Sequence, residues 1–299
     1  VARPCLVGLQ LPEEERRVGW PETAALAHTA EQVGFDSLWV GDHLLFDAPD
    51  GTVKGPFEAW TTLAALAAVT TRVQLGPLVA ATVFHAPAML AKQAATVDAI
   101  SGGRLIVGLG AGWNVREFTA FGFPYDHRVS RFEEAFTIIR GLLRDGHVDF
   151  HGTYHVAADC TLDPPPVRPG GPPLWLGSVA PRMLRIGLPH VDAWNVWWAD
   201  YGNTPEGFAA VRERVDRAAA VAGRAPGEVR ATAAVLIRLP GAEGRPDVDA
   251  SSNPVEGSPA DIARHIQAMA AAGAAHVQLV VDPITVGSVN LLGQALALL

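Results

Sequence analysis

Eight short apolar runs recur along this chain, and each is followed by a segment of helical character. The runs are Cys5–Leu11, Phe35–Val40, Val73–Ala81, Arg104–Leu109, Leu174–Leu176, Val191–Val196, Val229–Leu239 and His276–Val281. Several are nearly free of polar residues, as strands are when both faces of a parallel sheet are covered. The segments Glu22–Gly34, Ala59–Thr70, Pro87–Ile100, Arg128–Leu143, Pro181–Leu188, Pro205–Ala222, Pro259–Ala272 and Val286–Leu298 read as helices, several of them opening on Pro. Right-handed β–α units repeated eight times close most simply into a barrel. The predicted fold class is therefore α/β, a single (β/α)8 TIM-type barrel over residues 1–299. Insertion loops fall at about 41–58, 144–172 and 239–257, and a hairpin is predicted about Gly152. An open doubly wound sheet is the alternative architecture.

Composition supports a large core. Of 299 residues, 49% are apolar and 18% charged, which excludes a disordered chain. The net charge of −8 argues against electrostatic nucleic-acid binding. Two cysteines, Cys5 and Cys160, cannot form a disulfide framework. The charge-free stretch Val73–Ala91 is broken by Gly76, Pro77 and Pro87. It suits a strand, a turn and a helix start, and no membrane association is expected. No signal-peptide pattern opens the chain, its start at Val1 suggests a trimmed terminus, and the expected location is the cytoplasm.

In a parallel barrel the working face lies at the C-terminal ends of the strands. Gly41-Asp42-His43 follows the second run, and Ala80-Ala81-Thr82 and then His85 end the third. Gly110-Ala111-Gly112-Trp113-Asn114 follows the fourth, and Gly177-Ser178-Val179 the fifth. Trp194, Asn195, Trp197 and Trp198 surround the sixth, and Asp282 ends the eighth. Glycine permits close backbone approach to a ligand, and tryptophan offers flat apolar surface. A helix start at Pro181, just beyond Gly177, suits a phosphate. Together these residues fit a large, flat, phosphorylated cofactor. Each also has a plainer reading: His43 as a structural histidine, the glycines as turn formers, the tryptophans as core. Gly110 and Gly112 do not make a dinucleotide fingerprint, because no helix opens at once and no acidic residue follows at the required distance. His147, His151 and His155 recur at spacing four in a segment that is not helical but reads as a hairpin. Residues four apart on a strand are separated by roughly 13 Å, so no metal site is expected there. Asp42, Glu117 and Asp282 are available acids, but no catalytic pair is marked out.

Longer segments carry a family resemblance. They include Gly34-Phe35-Asp36-Ser37-Leu38-Trp39-Val40-Gly41-Asp42-His43, Pro87-Ala88-Met89-Leu90-Ala91-Lys92-Gln93 and Ser101-Gly102-Gly103-Arg104-Leu105. Gly108-Leu109-Gly110-Ala111-Gly112-Trp113-Asn114, Pro173-Leu174-Trp175-Leu176-Gly177 and Asp192-Ala193-Trp194-Asn195 complete the pattern. Over nearly its whole length the chain resembles the luciferase-like monooxygenase superfamily of flavin- or deazaflavin-dependent oxidoreductases. The likeness is greatest to the group using coenzyme F-420, an 8-hydroxy-5-deazaflavin.

The resemblance implies a ring lying in the barrel mouth and hydride transfer between the (deaza)flavin and a small organic substrate. It implies His43 beside the reacting ring, with Asp42 orienting it. It implies a bulge with a non-prolyl cis peptide near Leu78-Val79 backing the ring, and Gly110, Ala111, Gly112 and Trp113 against the cofactor. Gly177, Ser178 and Val179 would hold the phosphate, although this loop is poorer in glycine than in many relatives. Trp194, Trp197 and Trp198 would form an apolar substrate pocket. The insertions after the second and seventh strands would serve as lids. Coenzyme F-420 is the favoured cofactor. The alternative is an FMN-dependent monooxygenase using reduced flavin and dioxygen, which needs a flavin reductase partner. A non-catalytic flavin-binding barrel is the rival from another class. The family commonly forms homodimers.

Overall fold

The computed structural model describes residues 3–48, 51–242 and 252–299. Its main sheet is entirely parallel. The first strand, Leu6–Gln10, lies between the eighth, His276–Asp282, and the second, Ser37–Val40. The second pairs with Gln74–Pro77. On the other side follow the seventh strand, Arg230–Arg238, the sixth, Ala193–Val196, the fifth, Leu174–Leu176, and the fourth, Val107–Gly110.

Closure happens at the third strand, which is built in two halves. Gln74–Pro77 pairs with the second strand, and Ala80–Ala81 pairs with the fourth. A bridge between Leu75 and Leu105 joins the two edges further down. Between the halves the Leu78–Val79 peptide is cis. The result is the predicted eight-stranded α/β barrel, with the strands in sequence order.

Helices cover the outside. Trp20–Val33 opens with Pro21 in its first turn and closes at Gly34, whose φ of 98° a glycine adopts without steric cost. Ser258 and Asp261 form a capping box on Pro259–Ala271. Strand residues facing these helices, among them Leu9, Leu38, Val107 and Leu279, are fully buried. No helix among the described residues is long and apolar enough to cross a membrane.

The barrel interior is plugged at its lower end by indoles. Trp39 and Trp175 pack with ring centroids 4.7 Å apart, together with Ile106 and Ala193. Room for Trp39 comes from its neighbours: a Cβ on Gly8 would lie 2.4 Å from the indole nitrogen, and one on Gly76 2.7 Å from the ring. The Trp39 indole N–H donates to Ser37 Oγ at 2.7 Å, and that oxygen sits 2.8 Å from His276 Nε2. Burial, reinforced by the charge of Arg230, pushes His276 down to about 3, so the ring is neutral.

Some local expectations change. The loop at 41–58 carries a small hairpin, Phe46–Asp47 against Val53–Lys54. After the fourth strand, Asn114 caps a short helix, Val115–Phe121, that the sequence pattern did not mark. The hairpin about Gly152 forms from His147–His151 and Val156–Thr161. There His147 meets Asp159 at 2.9 Å, and His151 meets Asp149 at 3.2 Å. Of the insertion at 239–257, residues 243–251 lie outside the described residues.

Candidate active site

A cavity of about 630 Å³ opens at the C-terminal ends of the strands, within the usual range for small-molecule sites. His43 stands in its wall. The imidazole Nδ1–H donates to Glu117, with the two carboxylate oxygens at 3.0 and 3.1 Å. Glu117 comes from the helix after the fourth strand and is completely buried. Its Oε1 also accepts from the backbone N–H groups of Leu44 and Leu45, at 2.5 and 3.3 Å. On the other side, Glu13 Oε1 lies 3.6 Å from His43 Nε2. The second oxygen of Glu13 accepts from Gln10 at 2.7 Å. Phe46 and Trp113 flank the ring, with centroids 4.8 and 5.6 Å away.

Burial alone would lower the pKa of His43. The charge of Glu13, the hydrogen bond and charge of Glu117, and the charge of Asp42 more than offset it and push the imidazole up to about 9. His43 is therefore a cation at neutral pH, with Nδ1–H committed to Glu117 and Nε2–H toward Glu13.

Asp42 does not orient His43. Its Oδ2 accepts from the Ala81 N–H at 2.9 Å and meets His85 Nε2 at 2.7 Å. Successive side chains of an extended segment point to opposite sides. Asp42 thus ties the second strand to the upper half of the third, while His43 faces Glu117. The orienting carboxylate that the sequence reading placed next door in the chain comes from 74 residues away.

Leu78, Val79, Gly110, Ala111, Gly112, Trp113, Gly177 and Ser178 all line this cavity. Val79 seats between glycines: an added Cβ would lie 2.8 Å from it at Gly110 and 2.4 Å from it at Gly177. Two expected residues fall elsewhere. Val179 packs against the hydrophobic core. Trp194 is fully buried on the outside of the barrel, stacked on Phe208 with centroids 5.9 Å apart. Strand alternation sends Trp194 outward and its neighbour Asn195 inward, so Asn195 reaches the cavity beside Trp197 and Trp198.

Glu13, Phe46 and Arg128 are cavity residues the sequence reading did not assign. A usable signal existed for Glu13, because carboxylates directly after a barrel's first strand lie on its working face. Arg128 and Ser178 both line the cavity, and a guanidinium and a hydroxyl are suitable partners for a phosphate. With the Leu78–Val79 backing and the indoles of Trp113, Trp197 and Trp198, these residues fit a flat, phosphorylated ring system.

Comparison with known proteins agrees with this geometry. Over 172 residues the chain is 36% identical to pyrimidine monooxygenase RutA of Cronobacter sakazakii, covering 56% of this chain and 50% of that protein. It is 31% identical over 229 residues to an FMNH(2)-dependent dimethylsulfone monooxygenase of Pseudomonas putida, covering 73% and 59%. The chain thus spans about half the length of the curated relatives it matches. Among solved structures, an F-420-dependent secondary alcohol dehydrogenase with a bound F-420–acetone adduct superposes with a TM-score of 0.81. That match has 20% identity and covers 97% of this chain and 98% of the other, a likeness of fold. The family model described as luciferase-like monooxygenase matches residues 6–239, and the chain belongs to that family.

Proposed function

We propose that this barrel is an oxidoreductase that binds a (deaza)flavin in the cavity and exchanges hydride between it and a small organic substrate. The observation that carries the reading is His43, held between the carboxylates of Glu13 and Glu117 in the wall of an apolar-backed cavity of about 630 Å³. The bound cofactor would supply hydride acceptance or donation, and the protein would supply position and electrostatics. Glu117 holds the imidazolium in one orientation. The Nε2–H is the proton available to an oxygen developing negative charge on a substrate during reduction, and the neutral ring takes a proton in the reverse direction. Leu78, Val79 and Phe84 give the cavity apolar lining. Arg128 and Ser178 would take the phosphate.

Coenzyme F-420 is the favoured cofactor, on whole-chain likeness. The second reading, FMN with dioxygen and a reductase partner, draws support from relatives named as monooxygenases. The first experiment is titration of purified protein with F-420 and with FMN, oxidised and reduced, followed by fluorescence. Binding of F-420 alone selects the hydride-transfer reading, and tight binding of reduced FMN selects the monooxygenase. Binding of neither refutes both. His43→Ala separates an enzyme from a flavin carrier: an enzyme loses turnover and keeps binding, whereas a carrier loses little.

A further inference from the structure

Barrel interiors are normally filled with branched apolar side chains. Here the layer beneath the cavity floor is polar: Gln10, Asn195, Thr232 and Gln278 project inward from four strands, and each is at least 95% buried. Only Asn195 of the four lines the cavity.

Its amide is held in one orientation. The Thr232 hydroxyl donates to the Trp194 carbonyl at 2.9 Å, so toward Asn195 it can only accept. The Asn195 Nδ2 group donates to Thr232 Oγ1 at 2.9 Å and to Gln278 Oε1 at 2.6 Å. Both amide protons are committed downward, and the side-chain carbonyl oxygen is left over. It has no partner among the described residues. Holding this arrangement has a cost, because Gln278 Nε2 is buried without a partner directly below. A network that leaves one donor unsatisfied to aim a carbonyl into a cavity is built around what that carbonyl meets.

We infer that Asn195 Oδ1 is the specific acceptor for a ring N–H, the imide N–H flanked by two carbonyls in the pyrimidinedione edge of a (deaza)flavin. The inference rests on the cofactor reading above, and it is independent of which cofactor binds, since flavins and deazaflavins share that edge. Asn195 is then a selectivity residue, because a buried acceptor fixed in place rejects a ligand that lacks the matching donor far better than an apolar wall does.

The test uses whichever of FMN or F-420 binds the full chain, together with the same molecule methylated at the imide nitrogen. Binding is read by fluorescence titration without substrate. Wild-type protein should bind the methylated form about tenfold more weakly or worse. Asn195→Ala should bind the parent cofactor about five- to tenfold more weakly. It should also lose the penalty for methylation, since acceptor and crowding disappear together. Thr232→Val, which releases one tether while keeping the carbonyl, should fall between the two. Equal wild-type affinity for parent and methylated cofactor overturns the inference, and so does a methylation penalty that persists in Asn195→Ala. Neither result touches the cofactor reading, which fails only if wild-type protein binds neither parent. If the alanine variant does not fold, the wild-type comparison alone still decides.

Discussion

Replacing Glu117 by Gln should return His43 to an ordinary histidine. Raising an imidazole from 6.5 to about 9 corresponds to about 3 kcal/mol in favour of the cation, at roughly 1.4 kcal/mol per pH unit. Burial works against that figure, so the carboxylates supply more than the net amount. Glu117 is the nearest of them, at 3.0 Å, and is shielded from solvent. Losing an opposite charge at such range typically moves a pKa by about 1–3 units. The amide in Glu117→Gln can still accept the Leu44 N–H through its oxygen, which turns its NH₂ toward Nδ1 and favours the neutral ring. His43 in that variant should therefore titrate between about 6 and 8. The assay is a proton NMR titration of the histidine Cε1 resonances from about pH 5 to pH 10.5 in cofactor-free protein, with His43→Gln assigning the peak. A His43 that stays near 9 in the Glu117 variant refutes the clamp as the cause. A wild-type value near 6.5 refutes the cation itself.

Stability should pass through a maximum near pH 6.5. His43, raised to about 9, contributes stability that is fully present below 6.5 and is lost as pH rises through 9, by up to about 3 kcal/mol. His276, pushed down to about 3, binds its proton only after unfolding, so stability also falls as pH drops below 6.5, by about 1.4 kcal/mol per unit. Urea midpoints measured across this range read both limbs. Arg168 meets the fully buried Asp98 at 2.6 Å. Arg168→Ala should cost about 3 kcal/mol by stranding that charge, and Asp98→Asn in the same chain should recover much of it in chemical denaturation. Gly177→Ala brings a methyl within 2.4 Å of Val79. It should destabilise by about 1–3 kcal/mol, and Val79→Ala should restore part of the loss.

The barrel was legible in the sequence because its signals are local. Apolar runs mark strands, helical spacing marks helices, and Gly34 stops a helix by its own backbone preference. Eight such units leave few ways to close, and the order of residues along the chain placed His43, Ala81, Gly110 and Ser178 on the same rim. Tertiary structure alone decided what each of two adjacent side chains meets. Asp42 and His43 were both placed at the site, yet one braces a strand and the other meets its carboxylate across the mouth. Trp194 and Asn195 differ in the same way, and the aromatic residue went outward to Phe208. Facing depends on register and twist, and those are set by pairing between strands far apart in the chain. For the same reason Glu13 and Glu117 become a clamp only when barrel closure brings the segments after the first, second and fourth strands together around one ring.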